Sequence, residues 1–178
     1  MDESPTRYTR TAVSLHWLIA GFIACGFAIG YIMTDLPPSP HKLKMFSWHK
    51  WIGITVLALA AIRGLWRLTH RPPPMVAMPH LQARAAWWTH VLMYVLLFVV
   101  PLTGWAFSSA SGYPVVYLGL WQLPDFVPKD KALADSLGDI HQLLAWTLAA
   151  LVGVHALAAL KHHFFDRDET LRRMLRWS

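Results

Sequence analysis

Four long runs of apolar residues, separated by short polar segments, dominate the pattern of this sequence. The runs cover residues 12–34, 46–68, 86–109 and 137–160. A helix that crosses the hydrocarbon core of a bilayer needs about 20 predominantly apolar residues, and each run meets that length. The pattern therefore predicts an all-α fold, a transmembrane four-helix bundle in which residues 1–178 form a single integral membrane domain.

The composition agrees with the membrane class. Hydrophobic residues make up 55% of the 178 positions and charged residues only 15%, which is more apolar than a soluble domain of this size requires. The first apolar run exceeds the roughly 7 to 15 residues of a signal-peptide core, so we expect it to remain in the mature protein.

Lysine and arginine are distributed unequally between the two ends of the predicted bundle. Eleven of the sixteen lie in the N-terminal tail, between Arg63 and Arg84, or in the C-terminal tail that ends with Arg172, Arg173 and Arg176. Cytoplasmic segments of membrane proteins carry the excess of these residues. Both termini are therefore predicted to be cytoplasmic, and the net charge of +6 requires no nucleic acid partner.

The last apolar run is unusual for a membrane span because it contains histidines. An unsatisfied polar group in hydrocarbon costs several kcal/mol. His141 and His155 are 14 positions apart, which places them roughly 40° apart around a helix and about 21 Å apart along it. One helix therefore carries two ligand positions, one near each face of the membrane.

Histidines on the other runs match these two heights. His49 lies near the predicted periplasmic level of His141, whereas His16 and His90 both lie near the cytoplasmic level of His155. Two imidazoles on facing helices, above and below a porphyrin, saturate the iron and suit electron transfer. The heights therefore predict two haem sites, with three candidate histidines at the cytoplasmic one.

Other readings of these histidines explain less of the pattern. Any single one can form a hydrogen bond between helices, but five at two matched heights favour haem. Zinc requires three or four ligands within one site, and a proton relay does not require two pairs. The single cysteine, Cys25, and the lack of a C-x-x-C-H motif exclude a thioether-bound haem.

Further candidates lie close to the two predicted sites. Arg63 follows His49 by 14 positions, so we expect it at the cytoplasmic level, where a haem propionate needs a cation. Gly30 is expected to leave bare backbone beside the periplasmic site, with helix packing as the alternative. His162, about 10 Å beyond the cytoplasmic level, is a candidate for a quinone carbonyl or a propionate, or an interfacial histidine.

The polar connections between runs carry weaker predictions. The segment from Ser108 to Asp135 mixes aromatic residues with prolines, which predicts a cap in the headgroup region that covers a cofactor. Ser136 and Asp139 are predicted to form a capping pair at the start of the fourth helix. The proline-rich stretch "HRPPPMVAMP" is predicted to be an extended spacer without chemistry of its own.

Three stretches resemble the bacterial cytochrome b561 family: "SLHWLIA", "WHKWIGI" and "DIHQLLAWTLAALVGVHALAALKHHFF". The resemblance covers nearly the whole chain and implies a multi-pass protein of the bacterial inner membrane with two non-covalent b haems. It further implies that the last span supplies one ligand to each haem. The implied axial pairs are His49 with His141 at the periplasmic haem and His16 with His155 at the cytoplasmic haem.

The resemblance also implies a reaction. Members of the bacterial group are described as superoxide oxidases, which pass electrons from periplasmic superoxide through the haems to ubiquinone. His90 and His162 are then assigned to the quinone pocket. The competing function is a cytochrome b subunit that anchors a periplasmic dehydrogenase or hydrogenase and passes its electrons to quinone.

A basic cluster lies on the side where positive charge is normally sparse. It consists of His41, Lys42, Lys44 and Lys50 around the entrance to the His49 site. Such a cluster steers a small anion toward a site by electrostatic attraction. We therefore predict that the three lysines steer superoxide; the alternative is a group of solvated lysines.

Overall fold

The structure is a computed structural model that describes residues 7–74 and 76–175, so that Arg176 lies outside the described residues. Four long helices are present: α1 (Arg10–Asp35), α2 (Pro40–Thr69), α3 (His80–Ala110) and α4 (Lys131–Lys161). Each is long and apolar enough to cross a membrane and contains one predicted span. The all-α, four-helix prediction is therefore confirmed.

Shorter elements lie at the ends of the bundle. Two strands, β1 (Val116–Tyr117) and β2 (Trp121–Gln122), pair antiparallel in the connection from α3 to α4. A π-helical turn (His162–Asp166) follows α4 directly, and a short helix, α5 (Arg172–Leu175), ends the described chain. The apolar pattern did not predict the hairpin.

The start of α4 corrects one prediction. Ser136 and Asp139 do not cap this helix; Asp130 does, and its carboxylate accepts a hydrogen bond from the Leu133 amide at 2.8 Å. Ser136 already lies inside the helix, where its hydroxyl donates to the Ala132 carbonyl at 3.0 Å. The helix begins earlier because the intervening residues are good helix formers and Asp130 supplies the preferred cap.

An apolar core joins three of the helices at mid-height. α1 packs against α2, α3 packs against α4, and α2 contacts α3. The core lies between the two histidine levels, since Ile19 is one turn beyond His16 on α1 and Val56 is two turns beyond His49 on α2. Its buried members are Ile19, Val56, Ala60 and Leu97.

The start of α1, the α2–α3 connection and the C-terminal tail meet at one end of the bundle, which we call the terminal end. The Trp17 indole donates to the Met174 carbonyl at 2.7 Å, and the Arg173 guanidinium donates to the Pro74 carbonyl at 2.8 Å. The first contact connects the two ends of the described chain, and the second joins the C-terminal tail to the α2–α3 connection. The distribution of basic residues predicts that the terminal end is cytoplasmic.

The opposite end, which we call the cap end, is covered in part by residues 111–130, the cap segment. The Lys50 ammonium donates to the Tyr113 carbonyl at 3.0 Å, and the Trp51 indole donates to the Val116 carbonyl at 2.6 Å. Both donors directly follow His49 along α2. The cap segment therefore lies over the turn of α2 that carries this histidine.

Candidate functional site

The cap-end histidines of α2 and α4 face each other across the bundle. The ring centroids of His49 and His141 are 6.1 Å apart, and the ring planes meet at 88°. Both side chains are partly shielded from the surroundings. The structure therefore brings together the two histidines that were predicted to share the periplasmic level.

Each ring of this pair is held through its Nδ1 atom. His49 Nδ1 lies 2.9 Å from the Gly26 carbonyl on α1, and His141 Nδ1 lies 3.0 Å from the Val100 carbonyl on α3. A carbonyl oxygen can only accept, so Nδ1 carries the proton and the neutral ring keeps its lone pair on Nε2. Metal-binding histidines are oriented by such a bond from their other nitrogen.

Two glycines on neighbouring helices leave room for these histidine rings against the backbone. A Cβ atom at Gly30 would lie 3.0 Å from His49 Cε1, and one at Gly104 would lie 2.9 Å from His141 Cε1. The expectation that Gly30 presents bare backbone at this level agrees with the structure. Gly104 was not singled out from the sequence, although it makes the equivalent contact on α3.

Three histidines meet at the terminal end. The ring centroid of His155 lies 6.2 Å from that of His16 and 5.1 Å from that of His90. His90 is exposed, and its Nδ1 is bound to the Ala86 carbonyl of its own helix at 2.6 Å. The three histidines that were predicted to lie at the cytoplasmic level are therefore neighbours in the structure.

The two possible pairs at the terminal end differ in the distance between their rings. An imidazole nitrogen lies about 2 Å from a first-row metal, and the ring centroid lies about 1 Å further out, so two axial rings are about 6 Å apart. The 6.2 Å between His16 and His155 fits this separation, as does the 6.1 Å of the cap-end pair. The 5.1 Å between His90 and His155 is shorter.

Arg63 lies at the terminal end, as expected from its spacing. Its Nη1 donates to the Ala12 carbonyl and its Nε donates to the Tyr94 hydroxyl, each at 3.0 Å. A guanidinium has five N–H donors, so further donors remain to bind an anion such as a propionate.

His162 belongs to a separate hydrogen-bond network. Its Nδ1 lies 2.6 Å from an oxygen of Asp168, and its Nε2 lies 3.1 Å from the amide nitrogen of Gln82 on α3. The side chain is buried at the junction of α4 and the π-helical turn. The structure therefore places His162 in contact with the tail and α3, whereas His90 contacts His155.

This network lowers the pKa of the Asp168 carboxyl group. Burial alone would raise its pKa, but hydrogen bonds from Thr170 and His162 outweigh burial and lower the pKa below its ordinary value. Asp168 is therefore a carboxylate at neutral pH and holds the proton of His162 Nδ1. Asp166, which also approaches His162 at 3.1 Å, is bound by the Lys161 ammonium at 2.6 Å.

The three lysines of the basic cluster all have contacts within the protein. The Lys42 ammonium donates to the last carbonyls of α1 at 2.6 and 3.2 Å, and the Lys50 ammonium donates to the cap segment. The Lys44 ammonium lies 5.1 Å from the centre of an indole ring. These partners are backbone carbonyls and an aromatic ring, and His41 is exposed beside the cluster.

Comparisons with known proteins cover nearly the whole chain. Residues 7–177 match the family described as prokaryotic cytochrome b561. The chain is 37% identical over 180 residues to cytochrome b561 homolog 2 of Escherichia coli K12, covering 97% of this chain and 93% of that protein. It is 30% identical over 171 residues to cytochrome b561 homolog 1 of the same organism, covering 95% and 97%.

A third relative bears a more specific name. The chain is 30% identical over 170 residues to the protein named "Probable superoxide oxidase CybB" of Yersinia pestis, covering 95% of this chain and 96% of that protein. Matches of this length, on a bundle with four helices able to cross a membrane, agree with the resemblance found in the sequence. The chain therefore belongs to the prokaryotic cytochrome b561 family, whose members are b-type haem proteins of the bacterial inner membrane that transfer electrons.

Proposed function

We propose that this protein holds two b haems and carries electrons across the inner membrane from periplasmic superoxide to ubiquinone. The observation that carries the proposal is the presence of two histidine pairs, with ring separations of 6.1 and 6.2 Å, at opposite ends of the bundle. His49 and His141 would hold one haem, and His16 and His155 the other.

The residues around both pairs fit this group. At the cap end, both Nδ1 protons are bound to backbone carbonyls, so both Nε2 lone pairs would be available to hold a haem iron. At the terminal end, Arg63 supplies a cation for a propionate. When bound, haem b with two axial histidines supplies one-electron transfer without an open coordination position for oxygen.

Superoxide is the proposed donor at the cap end. Two superoxide anions give two molecules of oxygen and two electrons, and ubiquinone takes up those two electrons with two protons to form ubiquinol. The name of the Yersinia pestis relative supports this donor. The positive charges of Lys42, Lys44 and Lys50 also support it, because they attract a small anion to this end.

The terminal end is the proposed side of quinone reduction. His90 is exposed next to His155, where a quinone dissolved in the bilayer can reach it. His162 carries an Nδ1 proton held by the Asp168 carboxylate. We assign His90 to contact with the quinone head group and His162 to the supply of protons on this side.

An electron-transfer subunit is the second candidate. Leu120 and Trp121, at the tip of the cap hairpin, are 85% and 76% exposed, and an exposed apolar tip is suited to contact with a periplasmic protein. In that case a dehydrogenase or hydrogenase supplies the electrons to the same histidine pairs.

Pulsed generation of superoxide distinguishes the two functions. Purified protein loaded with haem and ubiquinone is exposed to a superoxide pulse, and the haem absorption band and ubiquinol yield are followed. We expect haem reduction within the pulse and one ubiquinol for every two superoxide anions consumed. Absence of haem reduction by superoxide, together with rapid reduction by a periplasmic carrier protein, would support the subunit instead.

A further inference from the structure

A cationic cleft at the terminal end shares Arg63 with the His16–His155 site but is otherwise lined by residues that neither histidine pair uses. It lies between the start of α1, the end of α2 and the proline-rich stretch after α2, to which the sequence pattern assigned no chemistry. Arg63, Arg67 and Arg71 line it together with Tyr8, Trp66 and His70. We call it the arginine cleft.

Among the described residues, the positive charge of the arginine cleft is not balanced by a carboxylate. Within residues 7–74 and 76–175, no carboxylate forms an ion pair with Arg63, Arg67 or Arg71. The Arg67 guanidinium instead lies 5.8 Å from the centre of the Tyr94 ring. Three guanidinium groups in one cleft therefore favour an anionic ligand, and a phosphate matches their bidentate geometry.

The wall of the cleft is rigid and aromatic. The Trp66 and His70 rings stack with centroids 3.8 Å apart and planes within 5°, and the Trp66 indole donates to the Thr9 hydroxyl at 3.1 Å. The cleft is partly open to its surroundings, so a ligand can bind at its mouth with an anionic group directed toward the guanidinium groups.

The segment of α2 beside the cleft also presents apolar side chains to lipid. Ile62, Leu65 and Leu68 are 50%, 65% and 82% exposed, and in a membrane-spanning helix such residues contact acyl chains. By helical spacing Leu65 and Leu68 lie on the side of α2 away from Arg63 and Arg67. The cleft therefore lies at the end of a helix that is surrounded by lipid, where a phospholipid head group can reach it from the bilayer. Basic pockets on the cytoplasmic side of membrane proteins bind lipid head groups in this way.

We propose that the arginine cleft binds the phosphate of an anionic phospholipid of the cytoplasmic leaflet, with its acyl chains in the surrounding bilayer. The inference does not depend on which molecule donates electrons at the cap end. Arg67 and Arg71 make the contacts with the lipid phosphate. Arg63 contributes charge from inside the cleft, since its Nη1 and Nε are bound to Ala12 and Tyr94.

Native mass spectrometry of the full-length, haem-loaded protein tests the proposal. Binding of phosphatidylglycerol is compared with that of phosphatidylcholine with the same acyl chains. We expect phosphatidylglycerol to bind about tenfold more tightly, because both lipids carry one phosphate anion but phosphatidylcholine also carries a choline cation that the guanidinium groups repel. The double variant Arg67→Gln/Arg71→Gln should bind the two lipids equally and keep the wild-type haem content and absorption spectrum.

A matched double variant controls for general attraction between cations and anionic lipid. Arg84→Gln/Arg172→Gln removes the same charge from the terminal end but outside the cleft, and it should keep the preference for phosphatidylglycerol. Equal binding of both lipids by the wild-type protein would overturn the proposal, as would equal losses in the two variants. Displacement of the lipid by equimolar inorganic phosphate would identify a free-phosphate site.

Loss of haem or a changed haem spectrum in Arg67→Gln/Arg71→Gln, with the lipid preference intact, would instead show that the cleft holds a propionate. The wild-type comparison of the two lipids needs no variant, so the proposal stays testable even if the double variant does not fold. Failure of the superoxide experiment would leave these outcomes unchanged.

Discussion

The Nδ1 atom of His141 lies 3.0 Å from the carbonyl oxygen of Val100, which also accepts a hydrogen bond from the Thr103 hydroxyl at 2.9 Å. The acceptor precedes Pro101, inside an otherwise continuous α3. This relationship fixes the tautomer of His141 and leaves Nε2 unprotonated. The orientation of a ring on α4 is therefore determined by the backbone of α3.

Replacement of Gly104 tests how tightly this orientation is constrained. In Gly104→Ala the new methyl group would lie 2.9 Å from His141 Cε1, so the ring or α3 must shift at a cost of about 1–3 kcal/mol. We expect the cap-end haem to be lost or bound with altered axial geometry, measured by pyridine haemochrome content and electron paramagnetic resonance. Gly153→Ala on α4 is the matched control, because no atom lies within 4 Å of its Cβ; equal behaviour of the two variants would contradict the prediction.

The histidine pairs predict which substitution removes which haem. The wild-type protein should contain about two b haems per chain, as expected for two bis-histidine sites. His141→Ala should lose the cap-end haem and His155→Ala the terminal-end haem, whereas His90→Ala should keep both. Haem content and redox titration of each purified variant provide the measurement. Loss of a haem in His90→Ala, with retention of both haems in His16→Ala, would show that His90 and not His16 is the partner of His155.

The basic cluster predicts a salt-dependent reaction with superoxide. The bimolecular rate of haem reduction should fall as ionic strength rises, because the Debye length is about 8 Å at physiological ionic strength. Replacement of Lys42, Lys44 and Lys50 by Gln should lower the rate and flatten its dependence on salt, with haem content unchanged. If the rate of haem reduction by superoxide changes neither with salt nor with the triple substitution, the lysines do not steer superoxide, although the protein still reacts with it.

The three lysines should differ in their effects on stability. Lys42 and Lys50 donate to backbone carbonyls of α1 and of the cap segment, whereas Lys44 lies over an indole ring. Each lost hydrogen bond of a charged donor costs about 1.5–3 kcal/mol. Thermal unfolding should therefore detect Lys42→Gln and Lys50→Gln as destabilised relative to Lys44→Gln, and equal melting temperatures would contradict these contacts.

The tail should detach under acid conditions. Because the folded state lowers the pKa of Asp168 below its ordinary value of 3.8, its stabilising contribution is complete above that value and is lost as pH falls through the lowered pKa. Hydrogen exchange of residues 162–175 should accelerate in this acidic range, and Asp168→Asn should show fast exchange already at neutral pH. Asp135→Asn, in an exposed pair with Lys131, should leave this segment unaffected.

Helical periodicity predicted much of this arrangement from the sequence. The 14-residue steps placed His141 and His155 at two heights, and the same step located Arg63, because a helix of known rise is nearly rigid over such distances. The pattern also delimited the four spans to within the observed helices. These features depend on residues of one helix at a time.

The features that the sequence did not predict depend on contacts between separate elements. Gly104 and the Val100 carbonyl contact the His141 ring only because α3 packs against α4. The spacing of residues within α3 does not predict this contact. Lys42 and Lys50 looked like free surface cations, but their ammonium groups bind carbonyls of α1 and the cap segment. The start of α4 could have been predicted from the sequence, because Asp130 is a preferred cap residue and precedes several good helix formers.

Both histidine pairs draw one member from α4, the last long helix to be synthesised. A nascent chain that has inserted only α1, α2 and α3 therefore contains half of each pair and no complete one. On the proposed ligand assignment, haem can therefore be held by two histidines at either end of the bundle only after the fourth span has been translated. A ribosome stalled before residue 141 would leave a membrane-embedded chain without either pair.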